Sequence, residues 1–129
     1  MKKILNVQNH SLTVEQVNEL ANKGFEVIEL PEHLKKEWGN LTPDNYLDVV
    51  VEIWLLEHNN EPIMNYIVSG FSPAVAEMVC MSQDRDIYPI GEEPHLYYAY
   101  SQRESVEVEQ EDGTVIKKSV FKHKGFYRY

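Results

Sequence analysis

Histidine moves protons near neutral pH better than any other side chain, and two of the five histidines here stand where an anion could gather. His10 lies in the run Gln8-Asn9-His10-Ser11, directly after an apolar segment. Ser69-Gly70-Phe71-Ser72 takes the same position after a later apolar segment. Each run leads from a strand into a helix N-terminus, where free N–H groups and the positive dipole end favour phosphate. Asn9, Ser11, Ser69, Gly70, Phe71 and Ser72 are the ligand-binding candidates there, with hydroxyl or backbone donors expected from Ser11, Ser69 and Gly70. His123 stands between Lys122 and Lys124, two further binding candidates. Arg103 supplies a planar fork suited to phosphate. The chemistry these residues suit is proton transfer beside an anion.

Plainer readings stand next to these. A histidine after a strand often serves as a loop or capping residue, His123 also fits a strand that pairs across a sheet, and Arg103 can pair with Glu104 or Glu107. His33, His58 and His95 have no matching partners and read as surface residues. No His-x-x-x-His or Cys-x-x-Cys spacing occurs, so no metal site and no cofactor is expected. Neither Gly-x-x-x-x-Gly-Lys nor Gly-x-Gly-x-x-Gly is present, which argues against an ATPase or a dehydrogenase.

The elements that must position these groups follow from pattern. Residues 3–7 read as a buried strand. Thr13 and Gln16 have capping-box spacing and open a helix with Val14, Val17, Leu20 and Ala21 on its apolar face. Residues 25–30 are the second strand, parallel to the first because a helix crosses between them. A short helix over 32–38 follows, then one opening at Thr42-Pro43-Asp44. The third strand is 63–68, and Ser72 and Pro73 fit the N-cap and first position of the next helix. Residues 87–90 are expected as a weak fourth strand, and 96–100 lead into a hairpin. That hairpin occupies the last twenty-nine residues, turning at Asp112-Gly113. A three-residue loop there sets Val108 opposite Ile116 and Glu107 opposite Lys117. The result is a single 129-residue domain: a three-layer, mostly parallel α/β sheet with a C-terminal antiparallel β-hairpin. Ligands gather beyond the carboxyl ends of strands in such sheets, where both candidate runs lie.

Charge is unevenly placed. The chain carries a formal charge of −9, yet from Lys117 onward there are five cations and no Asp or Glu. Phe121, His123, Phe126, Tyr127 and Tyr129 are interleaved with them. This ending suits an anion or nucleotide contact; it equally suits an edge strand pinned by aromatics and kept soluble by lysines. The acidic body argues against duplex DNA. A lone Cys80 permits no internal disulfide. The polar opening residues make neither a signal peptide nor a membrane span, so a cytoplasmic protein without membrane contact is expected.

Three stretches carry a resemblance. Asn9-His10-Ser11-Leu12-Thr13 resembles the Ser-His-x-Leu-Thr signature of a CRISPR accessory family, with Asn9 in place of its first serine. The turn at Ser69-Gly70 and the position of Arg103 also match. Asp112-Gly113 followed by Phe121-Lys122-His123 and residues 126–129 is similar to that family's hairpin and its Phe-Lys-His…Phe-Arg-x-Tyr ending, with Tyr127 where arginine is usual. The family is the Csx-twenty-like group of ring nucleases of type III CRISPR systems, whose fold is similar to Rossmann-like CARF domains.

The resemblance implies a homodimeric enzyme of antiviral defence that degrades cyclic oligoadenylate, above all cyclic tetra-adenylate, without metal. Attack by a 2′-hydroxyl on the adjacent phosphorus would leave a 2′,3′-cyclic phosphate. His10, Arg103 and His123 are then the catalytic candidates. The alternatives are a protein that sequesters the ring uncut, and an interaction domain whose acidic body and basic end meet in a dimer.

Overall fold

The computed structural model describes residues 1–129. β1 (Lys2–Val7), α1 (Val14–Asn22) and β2 (Phe25–Glu29) form the opening unit, with β1 and β2 parallel. α2 (Glu32–Trp38) and α3 (Tyr46–Trp54) follow. Two short strands, β3 (Glu57–His58) and β4 (Glu61–Pro62), then pair across a tight turn in which Asn59 and Asn60 both have positive φ. Asparagine tolerates that conformation better than most residues. β5 (Asn65–Val68), α4 (Ser72–Ser82), β6 (His95–Glu109) and β7 (Val115–Arg128) complete the chain.

The main sheet has the order β2-β1-β5-β6-β7 and is mixed: parallel from β2 to β6, antiparallel between β6 and β7. Side chains alternate across it, as the two-residue pleat requires. Ile4 and Ile67 project to one side, where they meet Leu20 of α1 and Phe126 of β7. Leu5, Val7, Tyr66 and Val68 project to the other and pack with Leu34, Trp38, Val50, Ile53, Ala74 and Met78. One helix therefore covers one face and three helices cover the other, the layering expected of an α/β chain. No helix is long and apolar enough to cross a membrane.

The predicted capping box forms: Gln16 N–H donates to Thr13 Oγ1 at 3.2 Å, and Thr13 N–H donates to Gln16 Oε1 at 3.0 Å. The apolar face of α1 is narrower than expected. Leu20 is buried, but Val14 is 78% and Val17 40% exposed. α1 lies with Gln16 and Glu19 turned towards β7, so the two valines face outward.

The strand expected over 63–68 begins at Asn65, and two helix starts shift as well. The helix expected from Thr42-Pro43-Asp44 begins at Tyr46, because Asn45 Oδ1 accepts from Thr42 N–H at 2.8 Å and holds a separate turn ahead of it. α4 includes Ser72 and takes Phe71 as its N-cap, so Ser72 does not cap.

Residues 87–90 are not a strand. Ile87 and Tyr88 N–H both donate to the Asp84 carbonyl, closing a turn, and Pro89 has no N–H to offer a ladder. The fourth sheet position falls to His95, Leu96 and Tyr97, which pair with β5. β6 then runs on without a break into the hairpin. The expected hairpin register is present, with Val108 opposite Ile116 and Glu107 opposite Lys117. At the sheet's border, Tyr100 pairs with Gly125 but Ser101 with His123, leaving Lys124 as a bulged residue. Gly125, at φ +153°, has the freedom that such an irregularity needs. Beyond the bulge the two strands leave both cores and project as an arm, almost every residue exposed.

Candidate functional site

The strand order reverses between β1 and β5: β1 connects outward to β2, and β5 connects the other way to β6. The turns that follow these two strands lead to helices on opposite faces of the sheet, and the region between them at the carboxyl ends, the mouth, is where ligands of such sheets gather. Asn9, His10 and Ser11 stand on one side; Ser69, Gly70, Phe71 and Ser72 on the other. The turns are stitched together. Ser69 N–H donates to Val7 O at 3.3 Å, and Ser69 Oγ donates to Gln8 Oε1 at 2.9 Å. Gln8 Nε2 donates to Asn6 Oδ1 at 2.8 Å, and Asn6 Nδ2 donates to the His10 carbonyl at 3.1 Å and to Glu29 Oε2 at 3.2 Å.

His10 itself is exposed. Its Nδ1 lies 3.2 Å from the Ser11 carbonyl. A carbonyl only accepts, so in the neutral ring Nδ1 carries the hydrogen and Nε2 presents its lone pair. That is the arrangement of a general base.

Gly70 is fixed by close approach. It has φ +138°, and a Cβ built on it would stand 3.0 Å from Trp38 Nε1. The same indole N–H donates to the Ser69 carbonyl at 2.8 Å, so Trp38 sets the turn's position. Phe71 lies half-buried, edge-on to Tyr46 with centroids 5.8 Å apart, and packs against the core. Asn9 abuts Gly39 at the end of α2.

The other candidates lie elsewhere. His123 turns inward against α1: Nε2 meets Glu19 Oε2 at 2.6 Å, Nδ1 faces Gln16 Nε2 at 3.4 Å, and the side chain is 8% exposed. Both ring nitrogens have protein partners. Burial alone would raise the pKa of Glu19, but hydrogen bonds from His123 and Lys23 outweigh it and hold the carboxyl below its usual range. Arg103 sits on the arm, its guanidinium 5.2 Å over the Phe121 ring opposite it. Lys124 meets Glu104 at 2.7 Å, and Lys122 is exposed on the arm. Phe126, by contrast, belongs to the core. The basic, aromatic ending is thus divided between core and arm.

A model of the Uncharacterized protein MJ1673 family matches residues 2–127. The chain belongs to that family. The match takes in both turns of the mouth, the arm and the β7 segment that carries His123. No curated protein and no solved structure matches the chain.

In this member of the MJ1673 family, no three His, Cys, Asp or Glu side chains stand together in a metal-binding group. The residues that build the mouth include several with no obvious motif: Asn6, Gln8, Glu29 and Trp38. The one signal available for them was polar Asn6 and Gln8 within the otherwise apolar run Ile4-Leu5-Asn6-Val7-Gln8. A buried amide in a strand must find partners, and here the partners are the two turns. A cavity at the amino ends of the strands, beside Lys2, His58 and His95, is remote from these groups.

Proposed function

We propose that the protein is a metal-independent ring nuclease that binds cyclic oligoadenylate, with cyclic tetra-adenylate its foremost substrate, at the mouth between the β1 and β5 turns. The observation that carries this reading is the exposed His10, held through its own backbone by Asn6 and presenting Nε2, beside the N-terminus of α1. On this reading Nε2 removes the proton from a ribose 2′-hydroxyl as that oxygen attacks the adjacent phosphorus in line. The P–O5′ bond breaks, the leaving 5′-oxygen takes up a proton from solvent water, and a 2′,3′-cyclic phosphate remains. General-base assistance of this kind contributes about 10²–10⁴-fold to rate. Free N–H groups in the first turn of α1 stabilise the charge that grows on the phosphate oxygens, whereas α4 offers little, since Pro73 has no N–H and the Ala74 and Val75 N–H groups donate to the Phe71 carbonyl. The mixed sheet is compatible with a CARF-like, Rossmann-like kinship. Two copies, each offering the same mouth, would suit a two-fold symmetric ring. Such a protein would switch off type III CRISPR signalling.

A second reading is a sponge that holds the ring intact. It is favoured by the engagement of both His123 nitrogens and by the placement of Arg103 on Phe121, since neither is disposed towards His10. Incubation of labelled cyclic tri-, tetra- and hexa-adenylate with the protein in EDTA separates the readings. Linear products ending in cyclic phosphate, absent with His10→Ala, support the nuclease. Tight binding of an unchanged ring supports the sponge, and absence of both binding and cutting removes cyclic oligoadenylate from consideration.

A further inference from the structure

The arm and α3 carry complementary surfaces, and nothing in the chain covers either. Beyond the bulge, β6 and β7 make nine cross-strand pairs that belong to neither core. A two-stranded ribbon is only marginally stable alone in water, and this one is not evenly polar. Residues opposite one another in an antiparallel pair share a face. Val106 and Val108 therefore lie on one face with Ile116 and Val120. The first three of these are exposed. Lys118 and Lys122 share that face, and neither has a carboxylate partner. The arm's other face has Ser105, Ser119, Glu107 and Lys117 at its centre.

α3 presents the reverse charge beside a similar stripe. Leu47, Val51 and Leu55 are spaced by four, which sets them on one face of the helix and its C-cap. They are 49%, 48% and 73% exposed, whereas Val49, Val50 and Ile53 take the buried side. Asp48 and Glu52 form an exposed row next to the stripe. From Asp44 to Glu57 there are four acids and no Lys or Arg. Throughout β7 there are four lysines and an arginine but no acid. One stripe is aliphatic and acidic, the other aliphatic and basic.

The two surfaces also lie on the same side of the sheet. Leu96 packs into the core shared with α2, α3 and α4. β6 is unbroken and its pleat repeats every two residues, so Val106 and Val108 continue the side of Leu96. The exposed valines of α1 belong to the other side, with no lysine-rich strand facing them.

We propose that the arm docks on α3 of a second copy of this chain. Val106, Val108, Ile116 and Val120 would cover Leu47, Val51 and Leu55, with Lys118 and Lys122 set against Asp48 and Glu52. Because both surfaces lie on one side, a two-fold axis lets each arm cover the other copy's α3. That is the reciprocal contact of a closed dimer. Edge-to-edge pairing about a two-fold is disfavoured, since β7 would set lysine against lysine and β6 glutamate against glutamate. Neither surface belongs to a core, so the folded monomer does not depend on the contact. No residue of the mouth takes part, and the proposal stands apart from the ring-nuclease reading.

Sedimentation equilibrium with charge-reversed pairs at exposed positions tests this. The parent is expected to be a dimer that weakens as salt is added. Lys118→Glu with Lys122→Glu, and separately Asp48→Lys with Glu52→Lys, should each weaken self-association at least about tenfold, because like charges then meet. Mixed in equal amounts, the two variants should recover the parent's affinity as a heterodimer, since both contacts again join opposite charges. Phe121→Ser, on the arm's other face, should leave the dimer intact. A parent that stays monomeric at every concentration overturns the proposal. So does an α3 reversal that leaves the dimer unchanged, a mixture that does not recover, or loss of the dimer with Phe121→Ser. Should a reversed pair not fold, Lys118→Glu and Asp48→Lys alone carry the same comparison.

Discussion

His123 Nε2 and Glu19 Oε2 lie 2.6 Å apart, and this contact ties the last strand of the sheet to the first helix of the chain. The folded state holds the Glu19 carboxyl below its usual value of 4.5. A depressed carboxylate contributes stability that is fully present above its unfolded pKa and lost as pH falls through the folded one. The contribution should therefore be intact at neutral pH and fade on the acid side of 4.5. Glu19→Gln should lower stability by about 1 kcal/mol at pH 7. It should also flatten the acid limb of a plot of urea midpoint against pH; an unchanged acid limb would mean that the pair is idle.

The two candidate histidines should separate cleanly by substitution. On the proposed ring-nuclease reading, His10→Ala is expected to reduce single-turnover cleavage by about 10²–10⁴-fold while the protein melts as before. His123→Asn should do the opposite, lowering the melting temperature and leaving cleavage within about tenfold, since its nitrogens serve α1. A His123 variant that is fully folded yet inactive would contradict this division.

Gly70→Ala meets two obstacles at once, a positive φ and a Cβ placed 3.0 Å from the Trp38 indole nitrogen. Destabilisation of about 1–3 kcal/mol is expected, measured by chemical denaturation. Trp38→Phe in the same background should recover little, because it also leaves the Ser69 carbonyl without its donor.

Replacement of residues 104–120 by an Asn-Gly turn should leave stability within about 1 kcal/mol of the parent, because the arm contributes to neither core. Loss of ring affinity in this variant without loss of stability would assign the outer arm, with Lys117 and Lys118, to binding. Retained affinity would confine binding to the mouth and to the groups kept at the arm's base, Arg103, Lys122 and Lys124.

Local grammar made much of this fold legible. The Thr13–Gln16 box, the parallel start and the Asp112-Gly113 turn each depend on residues close together in sequence. What escaped depends on distant partners. Val14 and Val17 fit a helical stripe, but the sheet beneath α1 had already filled its face with Phe126 and His123. Residues 87–90 are apolar enough for a strand, yet Asp84 captured their backbone in a turn. His10 could be placed in a strand-to-helix turn from its neighbours alone. That His123 faces α1, and that Asn6, Gln8 and Ser69 form one directed chain, required the third dimension.

The bulge at Lys124 and Gly125 has a consequence for how the molecule can diversify. Outward of it, every cross-strand pair depends only on its neighbours, so the hairpin can gain or lose one residue from each strand without disturbing any pair nearer the sheet. Each such change turns the tip over, because the pleat repeats every two residues. Only changes of two residues per strand keep Phe121-like and Val106-like positions on their own sides. Length variation in this segment is therefore quantised, and homologues should differ there in even steps wherever the orientation of the tip is under selection.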